Sequence, residues 1–127
     1  MNIAALLAVA CGGALGSIAR YLVGIGAGRL LGTAFPWGTM FINVTGSFLI
    51  GALAESFALR WDASQEVRIL LVVGVCGGYT TFSTFSLDVV TLINHGEAIA
   101  AGLYIAGSVI LSVAALYAGL HAMRAVL

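Results

Sequence analysis

Gly74-Val75-Cys76-Gly77-Gly78-Tyr79-Thr80-Thr81-Phe82-Ser83-Thr84-Phe85-Ser86 lies inside an apolar run, Ile69 to Leu87, that carries no charged residue. Hydrocarbon offers no hydrogen bonds, so a membrane span is normally a helix that satisfies its own backbone. Irregular backbone persists at that depth only inside protein or beside a polar cavity. Gly77 and Gly78 each weaken a helix by about 1 kcal/mol relative to Ala, and the hydroxyls of Thr80, Thr81, Ser83 and Thr84 compete for backbone carbonyls. The pattern predicts a span broken in its middle, with carbonyls left free to bind something. The simpler alternative is that the small residues only let neighbouring helices approach. Phe82 and Phe85, three residues apart, share one helix face and alternate with hydrogen-bonding groups, which favours a lined path.

The rest of the chain agrees with a membrane setting. Of its 127 residues 61% are hydrophobic and 8% charged, with a mean hydropathy of +1.12, whereas soluble domains are about 25% charged. The fold class is an all-α integral membrane protein, one domain over residues 1–127. There is no Lys, and five Arg balance five acids, which argues against a nucleic-acid surface or a polybasic lipid anchor. Met1-Asn2-Ile3 lacks the basic region of a cleavable signal, so the first apolar run is expected to be retained. Cys11 and Cys76 sit in apolar runs without Cys or His at ligand spacing and are expected to be buried, inert thiols.

A spanning helix needs about 20 apolar residues, and four such runs occur, near 3–28, 37–58, 68–93 and 98–122. The first carries Gly12, Gly16, Arg20, Gly24 and Gly28 at steps of four, with Gly12 and Gly16 forming a close-packing pair. Arg20 is the one charge singled out within a run. It either lines an electropositive vestibule that gathers anions or snorkels to the interface. Pro36-Trp37 opens the second span with a first-turn proline and an interfacial ring. Within that span Asn43 brings an amide to about mid-membrane, to face a polar path or to bond a neighbouring helix. Between the second and third spans, Asp62 or Ser64 is placed to cap the third, with Glu66 in its first turn. In the fourth span Tyr104, Ser108 and Ser112 recur at steps of four. Their hydroxyls either hand an ion along or bond the carbonyl four residues back.

Four spans put Arg60, Arg68 and Arg124 on one side and Arg29 on the other, joined by Arg20 if it snorkels. Because Arg near span ends sets orientation, so small a bias permits insertion both ways and invites an antiparallel homodimer. A two-fold axis in the membrane plane would bring both Gly77-Gly78 breaks together. Carbonyls converging there suit a small hard cation.

Gly77 to Phe85, together with Gly12-Gly13-Ala14-Leu15-Gly16-Ser17-Ile18-Ala19-Arg20-Tyr21 and Gly38-Thr39-Met40-Phe41-Ile42-Asn43-Val44-Thr45-Gly46-Ser47, resembles the Fluc (CrcB) fluoride channels over the whole chain. The resemblance implies a dual-topology homodimer in the bacterial cytoplasmic (inner) membrane, multi-pass and surrounded by lipid. Two antiparallel pores would passively export fluoride and lower its cytoplasmic level. By position, Asn43 corresponds to the pore asparagine, Phe82 and Phe85 to paired rings whose edges face the anion, and Tyr104, Ser108 and Ser112 to a polar track. Arg20 corresponds to a vestibule arginine. The main-chain carbonyls of Gly77 and Thr80 correspond to a structural sodium (Na+) site at the dimer interface. Tyr79 stands where such chains carry Phe, and its extra hydroxyl needs a partner.

The partners expected are therefore fluoride, a second copy of the chain and lipid, with no nucleic acid. An alternative is a small dual-topology proton-coupled multidrug or cation exporter. It needs a mid-membrane carboxylate, whereas Glu55 lies at a span end. An assembly subunit that conducts nothing is a third reading. No nucleophile, base and orienting group appear as a set, so no enzyme is expected.

Overall fold

The computed structural model describes residues 2–127; of the Met1-Asn2-Ile3 start, Met1 lies outside the described residues. Helix α1 spans Ile3–Leu31, capped by Asn2, whose Oδ1 accepts the Ala5 N–H at 2.6 Å. Gly32, at φ 79°, ends it and returns its N–H to the Gly28 carbonyl. A positive φ is strained for a residue with a Cβ, which is why glycine stands at this stop. Helix α2 spans Trp37–Leu59. Gln65–Arg68 forms α3, capped by Ser64 through the Val67 N–H at 3.3 Å, with Glu66 in the first turn. A wider, π-helical stretch, Ile69–Cys76, follows. It leads into α4, Gly77–Tyr79, then α5, Phe82–Asn94, and α6, Ala98–Val126.

Among the described residues four segments are long and apolar enough to cross a membrane, Ile3–Leu31, Trp37–Leu59, Gln65–Asn94 and Ala98–Val126. Each outruns its apolar stretch by one to four residues, since helix ends follow backbone hydrogen bonding rather than hydropathy. Among the described residues every regular element is helical. Within Gln65–Asn94, Gly77 and Gly78 stay helical, and the two extended residues are Thr80 (φ −83°, ψ 157°) and Thr81 (φ −153°, ψ 121°). The glycines have a packing role instead. A Cβ on Gly78 would stand 2.7 Å from the Gly13 carbonyl oxygen, and one on Gly74 would stand 2.8 Å from the Gly12 Cα. A Cβ on Gly16 would collide with the Val75 carbonyl. Thus α1 lies backbone to backbone against residues 70–79, through the Gly12 and Gly16 pair. A second close crossing joins α2 to α6, where a Cβ on Gly51 or Gly119 would run into the carbonyl of Leu116 or Phe48. Arg124 Nη2 donates to Glu55 Oε2 at 3.1 Å and ties the ends of these two helices.

Few side chains are buried within one copy. Phe85, Leu92, Ala101 and Tyr104 form a small core, while large apolar residues on α1, α5 and α6, Ile3, Tyr21, Leu30, Phe82 and Ile99 among them, are more than two-thirds exposed, and Phe41 on α2 is more than half exposed. Apolar surface of this extent on all sides belongs against lipid or another protein surface. The protein is a multi-pass membrane protein. Cys76 is buried as expected; Cys11 instead is exposed.

Candidate pore and vestibule

The extended link at Thr80-Thr81 is shaped by α2. Thr81 cannot offer its N–H to the Gly77 carbonyl once the helix opens; it donates to Asn43 Oδ1 at 2.8 Å, and Asn43 Nδ2 donates to the Thr81 carbonyl at 3.0 Å. One amide side chain therefore replaces the partner that the Thr81 N–H has lost and adds a second bond to the Thr81 carbonyl. Two residues further along α2, Thr45 Oγ1 lies 2.9 Å from the Tyr79 hydroxyl, the partner which that extra oxygen requires. Between them Gly46 leaves room for Thr80, whose methyl group a Cβ there would overlap. On the far side, Thr81 Oγ1 accepts the Thr84 N–H at 3.2 Å and caps α5. A local hydroxyl thus closes the start of α5 at the link, as orphan backbone groups in an apolar setting demand.

Two cavities meet at this link. The smaller, about 270 Å³, is lined by Asn43, Thr81, Phe82, Phe85, Ser108 and Ser112, among others, and no charged side chain borders it. The Phe82 and Phe85 rings stand 5.4 Å apart at 42°, Phe82 77% exposed and Phe85 9%. Ser108 Oγ is buried and has no hydrogen-bond partner among the described residues, so its hydroxyl is not spent on the carbonyl four residues back. A buried polar atom without a partner is rare and calls for an occupant or a role.

The larger cavity, about 450 Å³, borders Arg20, Trp37, Thr39, Thr81, Thr84 and Asp88. Arg20 does not reach away from the protein. Its Nε donates to the Gly78 carbonyl at 3.1 Å, where a cation meets the negative end of the helical segment that stops at Tyr79. Tyr104 is fully buried and borders neither cavity. Its hydroxyl donates to Asp88 Oδ2 at 2.9 Å, and its ring packs between Phe35 and Phe85. Of the sequence-predicted pore residues, then, Asn43, Phe82, Phe85, Ser108 and Ser112 share one cavity, and Tyr104 stands beside it.

Asp88 is a charge that hydropathy patterning alone misses, since Arg20 stands out as the one charge within a run although Asp88 falls inside 68–93. An acid within an apolar run is itself a signal; the charge-free stretch happened to end one residue before it. No group of three or more His, Cys, Asp or Glu able to hold a metal is present among the described residues. The carbonyls of Gly77 and Thr80 lie outside that kind of donor set.

Comparison with known proteins gives concordant matches. The family model described as CrcB-like protein, Camphor Resistance (CrcB), matches residues 7–120. A protein of Nitrobacter hamburgensis named fluoride-specific ion channel FluC 1 is 66% identical over 119 residues, covering 94% of each chain. Proteins named fluoride-specific ion channel FluC from Nitrobacter winogradskyi and Rhizobium johnstonii are 64% and 59% identical, covering 95% and 92% of this chain and 96% and 94% of their own.

Proposed function

This chain belongs to the CrcB-like family, and from that premise we propose that it is a fluoride-selective channel through which fluoride leaves the cytoplasm passively across the inner membrane. The family is one of ion channels, and the chain is not an enzyme. The relatives lend no support to a proton-coupled exporter.

The observation that carries the proposal is the uncharged cavity in which Phe82 and Phe85 meet Asn43, Ser108 and Ser112. Fluoride is strongly hydrated, and a pore must replace part of that water without trapping the ion, since conduction needs binding that is favourable but escapable. Ring edges carry the positive part of the aromatic quadrupole. Ser108 supplies an O–H with no competing partner, and Asn43 keeps one N–H beyond the one it gives to Thr81. The positive end of α5 opens at Phe82 beside the same groups. Arg20 in the larger cavity serves as the vestibule cation that draws anions in. Tyr104 contributes through the hydrogen bond its hydroxyl donates to Asp88 and through its packing on Phe85.

Residues 1–127 act as one domain, and two copies assemble antiparallel, placing the Thr80-Thr81 breaks together near mid-membrane with a pore on either side. The exposure of Phe82 supports this arrangement. A sodium ion held by the main-chain oxygens of Gly77 and Thr80 from both copies fits the local backbone. The Gly77 carbonyl loses its helical partner to Asn43, and the ψ of Thr80 turns its carbonyl out of helical alignment. Neutral oxygens suit a hard cation, and a site on the symmetry axis would brace the two copies rather than lie in either pore.

Efflux from liposomes containing the purified protein tests the function. Fluoride should leave quickly and chloride should not; equal rates for the two ions, or none for fluoride, overturn it. Cys labels placed in loops and at termini should react from both membrane faces, and strictly one-sided labelling overturns the antiparallel dimer.

A further inference from the structure

The connection between α1 and α2 ends in Ala34-Phe35-Pro36. A residue before proline is confined to extended backbone. Pro36 itself, at φ −80° and ψ 63°, makes an inverse γ-turn in which the Trp37 N–H donates to the Phe35 carbonyl at 2.8 Å. Phe35 is thereby set on a stiff support, and it packs, partly buried, against the core of Phe85, Leu92, Ala101 and Tyr104. One neighbour is the Trp37 ring, 4.6 Å away at 49°, and another is the Tyr104 ring, 5.5 Å away at 83°, an edge-to-face pair. Tyr104 in turn lies 5.0 Å from Phe85, and Phe85 lies 5.4 Å from Phe82. These rings form a continuous row. It starts at the wall of the larger cavity, with Phe35 and Trp37, and ends in the smaller one, with Phe85 and Phe82.

We infer that Phe35 is a positioning residue for the pore, holding the Phe85 ring in place through Tyr104; the inference rests on the reading of the smaller cavity as the fluoride path. Tyr104 is fully buried, and its hydroxyl is fixed to Asp88 at 2.9 Å. A ring held at its tip can still swing about that point, and only its flanks stop it. Phe85 stands on one flank and Phe35 on the other. In a close-packed interior a gap beside one side chain is felt by the next. Removing the Phe35 ring gives Tyr104 room to lean away from Phe85, and Phe85 then gains a second place to stand. Its edge is presented to the cavity only part of the time. Phe35 borders the larger cavity and not the smaller, so its effect on the rings passes through Tyr104 and not through contact with an ion there.

Phe35→Leu keeps an apolar side chain and removes the ring, whereas Phe35→Tyr keeps the ring. In liposomes, fluoride efflux should fall about fivefold in Phe35→Leu, the scale set by one lost edge-to-face pair, and stay within about twofold of the parent in Phe35→Tyr. Phe35→Met, equally apolar and without a ring, should match Phe35→Leu. The Phe85 ring should report the same order without any ion flow. With phenylalanine isotope-labelled in the ring, its NMR signal, assigned by its loss in Phe85→Ile, should shift or broaden in Phe35→Leu and return in Phe35→Tyr. The signals of Phe48 and Phe57, farther along α2, should stay where they are. If Phe35 only fills space, Phe35→Leu and Phe35→Met will conduct like the parent, and that result overturns the inference. Reduced efflux with an unmoved Phe85 signal overturns it too, since Phe35 would then act from the wall of the larger cavity. A parent protein that passes no fluoride refutes the channel reading itself, a result distinct from a conducting parent matched by both ring-less variants.

Discussion

Replacing Asn43 by Leu, of nearly the same shape, separates two roles that the sequence left joined. Asn43 makes two bonds to the backbone of Thr81, at 3.0 and 2.8 Å. Losing it removes both bonds and strands the Thr81 N–H, which has no helical partner to return to, at a part-buried link. Side-chain hydrogen bonds in membrane proteins contribute about 0.6–2 kcal/mol each, so the pair amounts to roughly 1–4 kcal/mol. The Asn43→Leu protein should unfold at correspondingly lower denaturant. Its Thr81 amide should exchange with solvent about fivefold to a thousandfold faster than in the parent, at 1.4 kcal/mol per factor of ten. Amides in the middle of α6 should be unchanged in that comparison. If Asn43 were only a donor to the passing anion, flux would fall while stability and Thr81 protection stayed at parent values. That outcome would refute the account of Asn43 as the tie that holds the link open.

Substituting Phe82 or Phe85 by Ile keeps most of the volume and removes the quadrupole. Fluoride efflux should fall strongly at a stability cost under about 1.5 kcal/mol, and parent-like flux from both variants would exclude the edge-on mechanism. Ser108→Ala removes a buried hydroxyl that has no partner, so the variant should be as stable as the parent or slightly more so and conduct less, measured by thermal unfolding and efflux on the same preparation. Gly78→Ala drives a methyl group to 2.7 Å from the Gly13 carbonyl oxygen. It should cost about 1–3 kcal/mol by denaturant titration, whereas Gly26→Ala, with open space around it, should be near neutral.

Hydropathy and charge made the four spans legible, because a chain with so few charges has no other way to satisfy its backbone and hide its side chains. Proximity along a helix made the Phe82 and Phe85 pair and the Ser108 and Ser112 pair legible too. The link's position was less so. Two adjacent glycines look like the weakest point of a helix when propensity alone is considered. At Gly74 and Gly78, however, tertiary contact with α1 decides, and glycine is there to let backbones meet. Propensity is a weak prior once packing competes with it. Tyr104 was misleading for a related reason. Spacing puts it on the same face as Ser108, but only a residue on another segment, Asp88, shows where its proton goes.

The helix opens at Thr80-Thr81 rather than at the glycines because α2 presents a matching template there. An extended pair of residues inside a helical protein needs each lost backbone bond replaced, and the replacement must come from one rigid surface to hold a single geometry. Residues 43, 45 and 46 supply it within one turn of α2: an amide for the Thr81 backbone, a hydroxyl for Tyr79, and a missing side chain for the Thr80 methyl. At Gly77-Gly78 no such set is available. Gly13 and Gly16 of α1 offer close contact there, which stabilises a helix that is already formed and gives nothing to an open one. The same template fixes the cavity wall, because α5 starts at Phe82 only when Thr81 is held extended and free to cap Thr84. The tie between Asn43 and Thr81 therefore sets where both phenylalanine rings stand, so the proposed contact of fluoride with those rings would depend on a hydrogen bond that need never touch the ion.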